Sequence, residues 1–294
     1  MQIRTWIGAA VVAIALTAAS HDFRGARAQE IPIFDAHMHY NQEPTPYYSL
    51  ERIQELFREH GVIGVLATSR PNIGTHQLVA GAKPPLVVVP FLRPYRVRDD
   101  IGSWFDDPAT LALIEEEWGK QRWRGIGEFH VSGAGAERPT AKRIVTLARE
   151  RGLFLHAHSD DVAIESFFRH EPASRIIWAH TGFSLPAARV GEMLEKYPNL
   201  TGELSYRSGI VNAQGDLTSE WRKLFQRHPD RFVLGSDTWI NERWASYGRT
   251  MAQYRAWLRQ LPPPIAERIA WRNADALFAV NLGEAAAAGT RKGD

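Results

Sequence analysis

The sequence contains no cysteine, which excludes disulfides, thiolate metal sites and cysteine nucleophiles. It also lacks a strong excess of charge of either sign, because 35 basic residues stand against 33 acidic ones in a chain of 294. A balanced charge provides no broad basic surface for a polyanion, so nucleic acid is not expected as a partner. The 44% hydrophobic content allows a large core, and the length suits one barrel domain.

The N-terminus has the pattern of a cleavable signal peptide. Met1–Arg4 is a basic start, Trp6–Ala19 is almost wholly apolar, and Ala26–Ala28 is the small-x-small pattern that signal peptidase reads. The apolar run is shorter than the roughly 20 residues of an ordinary membrane span, although an uncleaved anchor is the alternative. Cleavage after Ala28 would remove three arginines and one aspartate, which leaves 32 residues of each sign. We therefore predict a periplasmic or secreted protein without net formal charge and without a stable membrane partner.

The rest of the chain alternates β-rich runs with amphipathic helical stretches. Eight predicted strands start at an average spacing of about 28 residues between Ile33 and Arg231, which is typical of βα units. Two further helices are predicted at Trp244–Leu261 and Ile265–Val280, separated by a proline breaker. The fold class is therefore α/β: a single-domain (β/α)8 TIM barrel over residues 29–282 with C-terminal helices, followed by a flexible tail over residues 283–294. The predicted strands are Ile33–His37, Val62–Ala67, Leu86–Phe91, Gly125–His130, Leu153–His158, Arg175–His180, Asn199–Leu204 and Arg231–Gly235.

Histidines are concentrated on these strands and at their C-terminal ends, where parallel α/β folds bind ligands. Six of the eleven histidines have such positions: His37, His39, His130, His156, His158 and His180. For any one of them alone, a hydrogen-bonded core histidine is the better interpretation. Their joint occurrence at strands one, four, five and six favours a metal centre, since imidazole is a common metal ligand.

Strands one and eight supply the strongest motifs. The alternation of a strand points His37 and His39 to the same side, so both imidazoles can reach one ion. Asp237 follows the last predicted strand, and only a closed barrel brings that strand next to the first. The alternative for Asp237 is a turn or helix-capping residue.

Strand four ends in Glu128, a buried acid that requires a cation. A metal meets that requirement, and an ion pair with Arg93 or Arg207 is the alternative. Arginines beyond the strand ends are candidates to bind a substrate carboxylate, or they form ordinary surface ion pairs. These candidate substrate residues are Arg70, Arg93, Arg96 and Arg207, with Tyr206 and Trp239 as pocket-lining residues.

Taken together, the D-A-H-x-H start, Glu128, the histidines of strands five and six and Asp237 resemble the amidohydrolase superfamily, in its amidohydrolase-related (amidohydrolase 2) branch. The resemblance runs from Ile31 to Leu282, and includes Trp271–Phe278, which is similar to the helix that commonly closes these chains. It implies a metal-dependent TIM-barrel enzyme; the branch includes lactonases and non-oxidative decarboxylases.

The resemblance also implies roles for individual residues. His37, His39 and Asp237 would hold a divalent ion, and His180 would face the substrate or a second ion. His158, six residues after Gly152, would complete the set in preference to His156, which we expect deeper in the barrel. Glu128 stands where many members have a carboxylated lysine and resembles the pattern of TatD-type nucleases, so one or two ions, zinc or manganese, are expected.

The predicted activity is hydrolysis of an ester, lactone or amide in a small substrate that carries a carboxylate. In this hypothesis Asp237 accepts the proton of the attacking water, and His180 donates a hydrogen bond to the developing oxyanion. The alternatives are a metal-dependent non-oxidative decarboxylase, which would release carbon dioxide, and a non-catalytic periplasmic metal- or ligand-binding protein. A barrel without metal, whose histidines are satisfied by hydrogen bonds, is a further alternative.

Overall fold

A computed structural model describes residues 30–41, 48–284 and 287. The predicted signal peptide, residues 1–28, lies outside the described residues, as does most of the predicted tail, so both remain predictions. Within the described ranges, none of the helices combines the length and the apolar character that crossing a bilayer requires.

Eight parallel strands form one sheet in the order of the chain, which confirms the predicted barrel. Every predicted strand is present, with ends that differ by a few residues. The largest differences are at strand six, which ends before His180, and at strand eight, which has only two residues. The strands are β1 (Ile33–Met38), β2 (Val62–Ala67), β3 (Val87–Leu92), β4 (Gly125–His130), β5 (Phe154–His158), β6 (Arg175–Trp178), β7 (Leu200–Glu203) and β8 (Phe232–Val233).

Helices follow the strands and cover the outside of the barrel. Side-chain caps explain two of their starts, because Ser49 accepts a hydrogen bond from the Arg52 amide and Asp160 accepts one from the Ala163 amide. The helices are α1 (Leu50–Glu59), α2 (Ile73–Gly81), α3 (Ala109–Trp118), α4 (Pro139–Glu150), α5 (Asp161–His170), α6 (Ala187–Lys196), α7 (Ser219–Arg227), α8 (Asn241–Ala245), α9 (Tyr247–Leu258), α10 (Pro263–Glu267) and α11 (Asn273–Phe278).

Both C-terminal helices predicted from the sequence are interrupted, which corrects that part of the prediction. The stretch Trp244–Leu261 divides at Ser246, and the Tyr247 hydroxyl turns inward to donate a 2.9 Å hydrogen bond to Asp35. The stretch Ile265–Val280 contains a π-helical turn at Arg268–Arg272, which rotates the residues that follow it. In both cases tertiary contacts override a continuous helical pattern.

Backbone hydrogen bonds between the first and last strands close the barrel. Asp35 pairs with Leu234 in a parallel bridge, and the Ala36 amide donates to the Leu234 carbonyl at 2.7 Å. Beyond the strand, the amides of Ser236 and Asp237 both donate to the carbonyl oxygen of His37. The residues that follow β8 are therefore fixed directly beside the histidines of β1.

The N-terminal end of the barrel is filled by an aromatic cluster. Phe278, at the end of α11, lies 5.4–6.0 Å between ring centroids from Phe34, Phe91 and Phe154 on three strands. The predicted closing helix thus plugs one end of the barrel. The opposite, C-terminal end stays open for a ligand.

Candidate metal centre

Four buried side chains direct donor atoms to one point at the C-terminal end of the barrel. They are His37, His39, Glu128 and Asp237. The two imidazole Nε2 atoms are 3.1 Å apart, and each lies 3.1–3.5 Å from carboxylate oxygens of Glu128 and Asp237. Ligands about 2.0–2.2 Å from a tetrahedral ion are separated by about 3.3–3.6 Å, so these four residues fit a divalent metal.

Hydrogen bonds at the other ring nitrogens direct two lone pairs towards this point. His37 donates from Nδ1 to Glu203 Oε2 at 2.8 Å, so that in the neutral ring, the form that binds a metal, Nε2 carries the lone pair. His39 Nδ1 contacts the carbonyl oxygen of Thr68. When a cation binds Nε2 of His39, the ring proton must be on Nδ1, where it is donated to this carbonyl oxygen. The Nε2 lone pairs of the two histidines and the two carboxylates then face one another. These electron-rich groups repel one another unless a cation lies between them.

The charge of the cavity agrees with that requirement. Burial lowers the pKa of His37, but the charges of Glu128 and Asp237 raise it further, so that it ends well above its ordinary value. Burial raises the pKa of Asp237, yet the charge of His37 and a hydrogen bond from His39 hold it below its usual range. The protein therefore favours positive charge at this point and keeps the carboxylates ionised.

A second group of donors lies on the other side of Glu128. His158 Nδ1 is 2.8 Å from Glu128 Oε1, and His180 Nε2 lies 3.1 Å from that nitrogen and 3.7 Å from that oxygen. His180 donates from Nδ1 to the carbonyl oxygen of Ser205 at 2.8 Å, so its Nε2 lone pair also faces inward. His158 thus lies beside the four-residue cluster, and Glu128 occupies the fourth corner that the resemblance assigned to His158.

Glu128 is also paired with an arginine. Arg93 Nη2 lies 3.0 Å from Glu128 Oε2, and both side chains are buried, so the ion pair considered from the sequence is present. The carboxylate nonetheless faces both donor groups with its two oxygens, so the arginine and a metal are not exclusive. Arg93 Nη1 lies 2.7 Å from His39 Nδ1 as well, a contact that is a hydrogen bond only when this nitrogen carries no proton. Arg93 is therefore part of the centre and is not a free clamp.

His156 lies below the centre, as expected from the sequence. Its ring is fully buried and packs edge-on against His37, with centroids 4.4 Å apart. Within the described residues neither of its ring nitrogens has a hydrogen-bond partner. Burial, together with the charge of His37, keeps its pKa well below the ordinary value, so the ring is neutral.

The sequence analysis missed Glu203, which organises the centre from below. Its carboxylate accepts hydrogen bonds from His37 Nδ1, from the His180 amide at 3.2 Å and from the amide and hydroxyl of Ser205. Gly235 is required beside it, since a Cβ there would lie 2.5 Å from the Cβ of His37 and closer still to Glu203 Oε1. The one local signal for Glu203 is an acid at the end of a strand, which is also common for glutamates that face solvent; its contacts with His37 and His180 join distant segments.

An open cavity of about 410 Å³ lies above the centre. This volume is at the small end of the range for small-molecule sites. Of the predicted residues, those that line the cavity are Arg70, Arg93, Glu128, His158, His180, Tyr206, Asp237 and Trp239. They are joined by Arg98, Ile101, His130 and Phe183, of which only His130 had been considered from the sequence.

Two of the predicted arginines have other partners. Arg207 donates to the carbonyl oxygens of Phe183, Leu185 and Ser208 and does not line the cavity, so the structure does not bring it to the substrate. Arg96 pairs with aspartates, which include Asp100 at 2.9 Å, as an ordinary ion pair. Both residues stabilise loops rather than the site.

Comparison with known proteins agrees with this site and fold. A sequence profile described as amidohydrolase matches residues 93–280. None of the functionally curated proteins is significantly similar in sequence. A proposed 2-pyrone-4,6-dicarboxylic acid hydrolase from Pseudomonas putida superposes with a TM-score of 0.58 at 17% identity, over 86% of this chain and 99% of that one.

Two further solved structures share the fold. An amidohydrolase from Burkholderia multivorans with bound zinc gives a TM-score of 0.56 at 16% identity, over 84% of this chain and 99% of that one. An uncharacterized TIM-barrel protein from Bordetella bronchiseptica gives 0.58 at 12% identity, over 79% and 83%. At these identities the structures establish only the fold, whereas the profile covers more than half of the chain. The chain therefore belongs to the amidohydrolase family and is an enzyme of the amidohydrolase type, built on a (β/α)8 barrel.

Proposed function

We propose that this protein is a metal-dependent hydrolase that attacks a carbonyl group, as an ester, lactone or amide, in a small substrate bearing a carboxylate. The observation that carries the proposal is the convergence of donor atoms from His37, His39, Glu128 and Asp237, in which the imidazole Nε2 atoms lie 3.1–3.5 Å from each other and from the carboxylate oxygens. A divalent ion held there would supply a Lewis acid that polarises a carbonyl oxygen and acidifies water.

Asp237 is the base in this proposal. Its Oδ1 belongs to the donor cluster, whereas its Oδ2 points towards the cavity side and lies 3.9 Å from His180 Nε2. Because its neighbours hold its pKa below the usual range, the carboxylate is ionised at neutral pH and can accept a proton from water. The backbone amide of His180 donates to the Glu203 carboxylate and its Nδ1 donates to the Ser205 carbonyl oxygen, which fixes the orientation of the ring. In a centre with one ion, protonated His180 would donate a hydrogen bond to the oxyanion, whereas in a centre with two ions its Nε2 would instead bind the second ion.

We further propose that the centre can hold two ions, with Glu128 between them. The first group contains His37, His39 and Asp237, and the second contains His158 and His180. Glu128 contacts both groups, because its Oε2 lies 3.3 Å from His39 Nε2 and its Oε1 lies 3.5 Å from His37 Nε2 and 2.8 Å from His158 Nδ1. Two ions about 3.5–4 Å apart are a common arrangement in hydrolytic sites. Zinc fits the nitrogen and oxygen donors, and manganese is the alternative.

The cavity supports a small anionic substrate. Its volume of about 410 Å³ suits a small molecule, and Arg70 and Arg98 line it beside Arg93, which is paired with Glu128. Guanidinium groups match a carboxylate in shape and charge. We also propose that the protein is exported, on the strength of its N-terminal sequence pattern, and that nucleic acid is not its substrate.

Metal analysis of the purified protein tests the proposal. We expect at least one equivalent of zinc in the wild type, and loss of metal together with turnover in His37→Ala, His39→Ala and Asp237→Ala. His170→Ala is the matched control, because His170 is exposed on α5, away from the cavity. Full metal content and activity in all three ligand variants would refute the site.

The number of ions and the reaction require separate measurements. At saturating zinc or manganese we expect two ions per chain in the wild type and fewer in Glu128→Gln. One ion in both proteins would leave a mononuclear enzyme in which Glu128 is not a ligand. A screen of esters, lactones, amides and carboxylic acids then identifies the reaction, and carbon dioxide release without hydrolysis would favour the decarboxylase.

A further inference from the structure

We infer that His130 binds the substrate by donating a hydrogen bond from a neutral imidazole whose tautomer is fixed by Tyr95. The inference rests on the proposed function, because it takes the substrate to occupy the cavity above the metal centre. It assigns a role to a side chain outside the four-residue cluster, at the end of β4 and two residues after Glu128.

The tautomer follows from the hydrogen bonds of a buried hydroxyl. Tyr95 is completely buried, and its hydroxyl oxygen accepts a 2.5 Å hydrogen bond from the backbone amide of His130. The hydroxyl hydrogen needs an acceptor of its own, and within the described residues the only other partner is His130 Nδ1, at 3.1 Å. A buried hydroxyl that donates to no acceptor is destabilising, because it has given up its hydrogen bond to water. Nδ1 is therefore the acceptor, and the ring hydrogen is on Nε2.

The position of Glu128 favours the same tautomer. Its Oε1 lies 3.9 Å from His130 Nε2, too far for a hydrogen bond but close enough for electrostatic preference. While no ion neutralises Glu128, this negative oxygen favours a hydrogen on Nε2, because it would repel a lone pair there. Two independent contacts, one at each ring nitrogen, thus select one arrangement of the imidazole.

The Nε2–H group is available to a ligand. The His130 side chain is 27% exposed and lines the cavity. Among the residues that the structure describes, none accepts a hydrogen bond from this nitrogen. The group that it faces in the cavity must therefore be an acceptor, such as a carbonyl or carboxylate oxygen of the substrate, and not an ammonium group.

The imidazole is also held rigidly before any substrate arrives. Its ring packs against His158 with centroids 4.0 Å apart and planes inclined by 30°, and its carbonyl oxygen accepts a 2.7 Å hydrogen bond from Trp104 Nε1. A donor that is already oriented loses little conformational entropy when it binds. Its packing on His158 places the donated hydrogen bond beside the second donor group of the metal centre.

Three variants of the zinc-loaded full-length protein separate this role from simple packing. His130→Phe keeps a flat ring and removes the donor, His130→Gln keeps an N–H donor, and Tyr95→Phe removes the hydroxyl that fixes the tautomer. The probe is benzoate, a carboxylate small enough for the cavity, whose dissociation constant is measured by calorimetry. His170→Phe on the exterior is the control, and the metal content of every protein is measured in parallel.

We expect the affinity for benzoate to fall about tenfold in His130→Phe, because a hydrogen bond to a charged acceptor is lost. In His130→Gln, which keeps an N–H donor, it should stay within about threefold of wild type. In Tyr95→Phe it should also fall, because the imidazole hydrogen is no longer fixed on Nε2. Long-range ¹H–¹⁵N NMR of histidine-labelled protein should show the His130 proton on Nε2, with a shift on addition of benzoate. A proton on Nδ1, or unchanged affinity in His130→Phe at full metal content, overturns the inference and leaves the hydrolase proposal intact. Failure of the zinc-loaded wild type to bind benzoate also overturns the inference. Absence of metal from the wild type would instead refute the proposed function, and the NMR measurement would still test the tautomer of His130.

Discussion

Replacing Glu203 with glutamine should weaken metal binding although Glu203 does not belong to the four-residue cluster. The carboxylate accepts from four donors: His37 Nδ1 at 2.8 Å, the Ser205 hydroxyl at 2.8 Å, the Ser205 amide at 2.5 Å and the His180 amide at 3.2 Å. Glutamine has one acceptor oxygen and one NH2 group, which only donates. Whichever way the amide is placed, at least one of these donors faces another donor.

The two placements of the amide have different consequences. With NH2 in the place of Oε1, the Ser205 amide loses its partner and His37 keeps a neutral acceptor of lower basicity. With NH2 in the place of Oε2, His37 must move its proton to Nε2, which then cannot coordinate a metal. The first placement is the less damaging one, and loss of such a carboxylate partner typically lowers metal affinity about 10–100-fold, or about 1.4–2.7 kcal/mol.

Zinc affinity, measured by competition with a chelator of known affinity, tests this prediction. Glu203→Asp retains the charge and should lose less affinity than Glu203→Gln. Glu116→Gln is the matched control, because that glutamate is exposed on α3 and pairs only with Lys120. Urea unfolding of each metal-free protein shows whether the fold is retained. Zinc affinity within twofold of wild type in a folded Glu203→Gln protein would refute the argument that this carboxylate sets the His37 tautomer.

Further predictions concern His156, His158 and Asp35. His156→Phe should keep the full metal content and unfold at the same or a higher urea concentration than wild type, since among the described residues neither ring nitrogen has a hydrogen-bond partner to lose. His158→Gln should lose metal. The reverse pattern of metal loss would make His156 the ligand. Burial raises the pKa of Asp35 from 3.8 to about 6, despite opposing hydrogen bonds from Ser236 and Tyr247. The folded state therefore binds this proton more tightly, and the Asp35 contribution to the free energy of unfolding should increase by up to about 3 kcal/mol as the pH falls from neutral to below 4. The free energy of unfolding in urea, measured at neutral pH and at about pH 4.5, should therefore increase in wild type relative to Asp35→Asn as the pH falls. Equal pH dependence in the two proteins would contradict the assignment.

The sequence was sufficient to predict the barrel and most of its centre, because both depend on local periodicity. Alternation along β1 places His37 and His39 on one side, and the position of Asp237 after the last strand demands closure of the sheet. Glu128 was identified on the same grounds, as an acid at a strand end. Each of these arguments uses only the residue type and its place in a βα unit.

The missing parts depend on contacts between distant segments. Glu203 meets His37 across 166 residues, and nothing local to β7 distinguishes it from a glutamate that faces solvent. The partners of Arg207 could not be predicted from the sequence either, because its guanidinium donates hydrogen bonds to three backbone carbonyl oxygens. His180 was expected on a strand but lies in a turn with φ of 58°, a conformation imposed by the hydrogen bonds of its amide and ring.

The closure of the sheet has a consequence for how the protein matures. The donors of the four-residue cluster come from the first strand, the middle of the chain and the segment after the last strand, and the amide of Asp237 donates a hydrogen bond to the carbonyl oxygen of His37. A chain still emerging from a ribosome or a translocation pore has no complete donor set until residue 237 of 294 is free. An ion bound by this cluster would therefore arrive late in folding and would link the first and last strands of the sheet. The metal available where folding finishes, rather than where synthesis begins, would then determine which ion is bound.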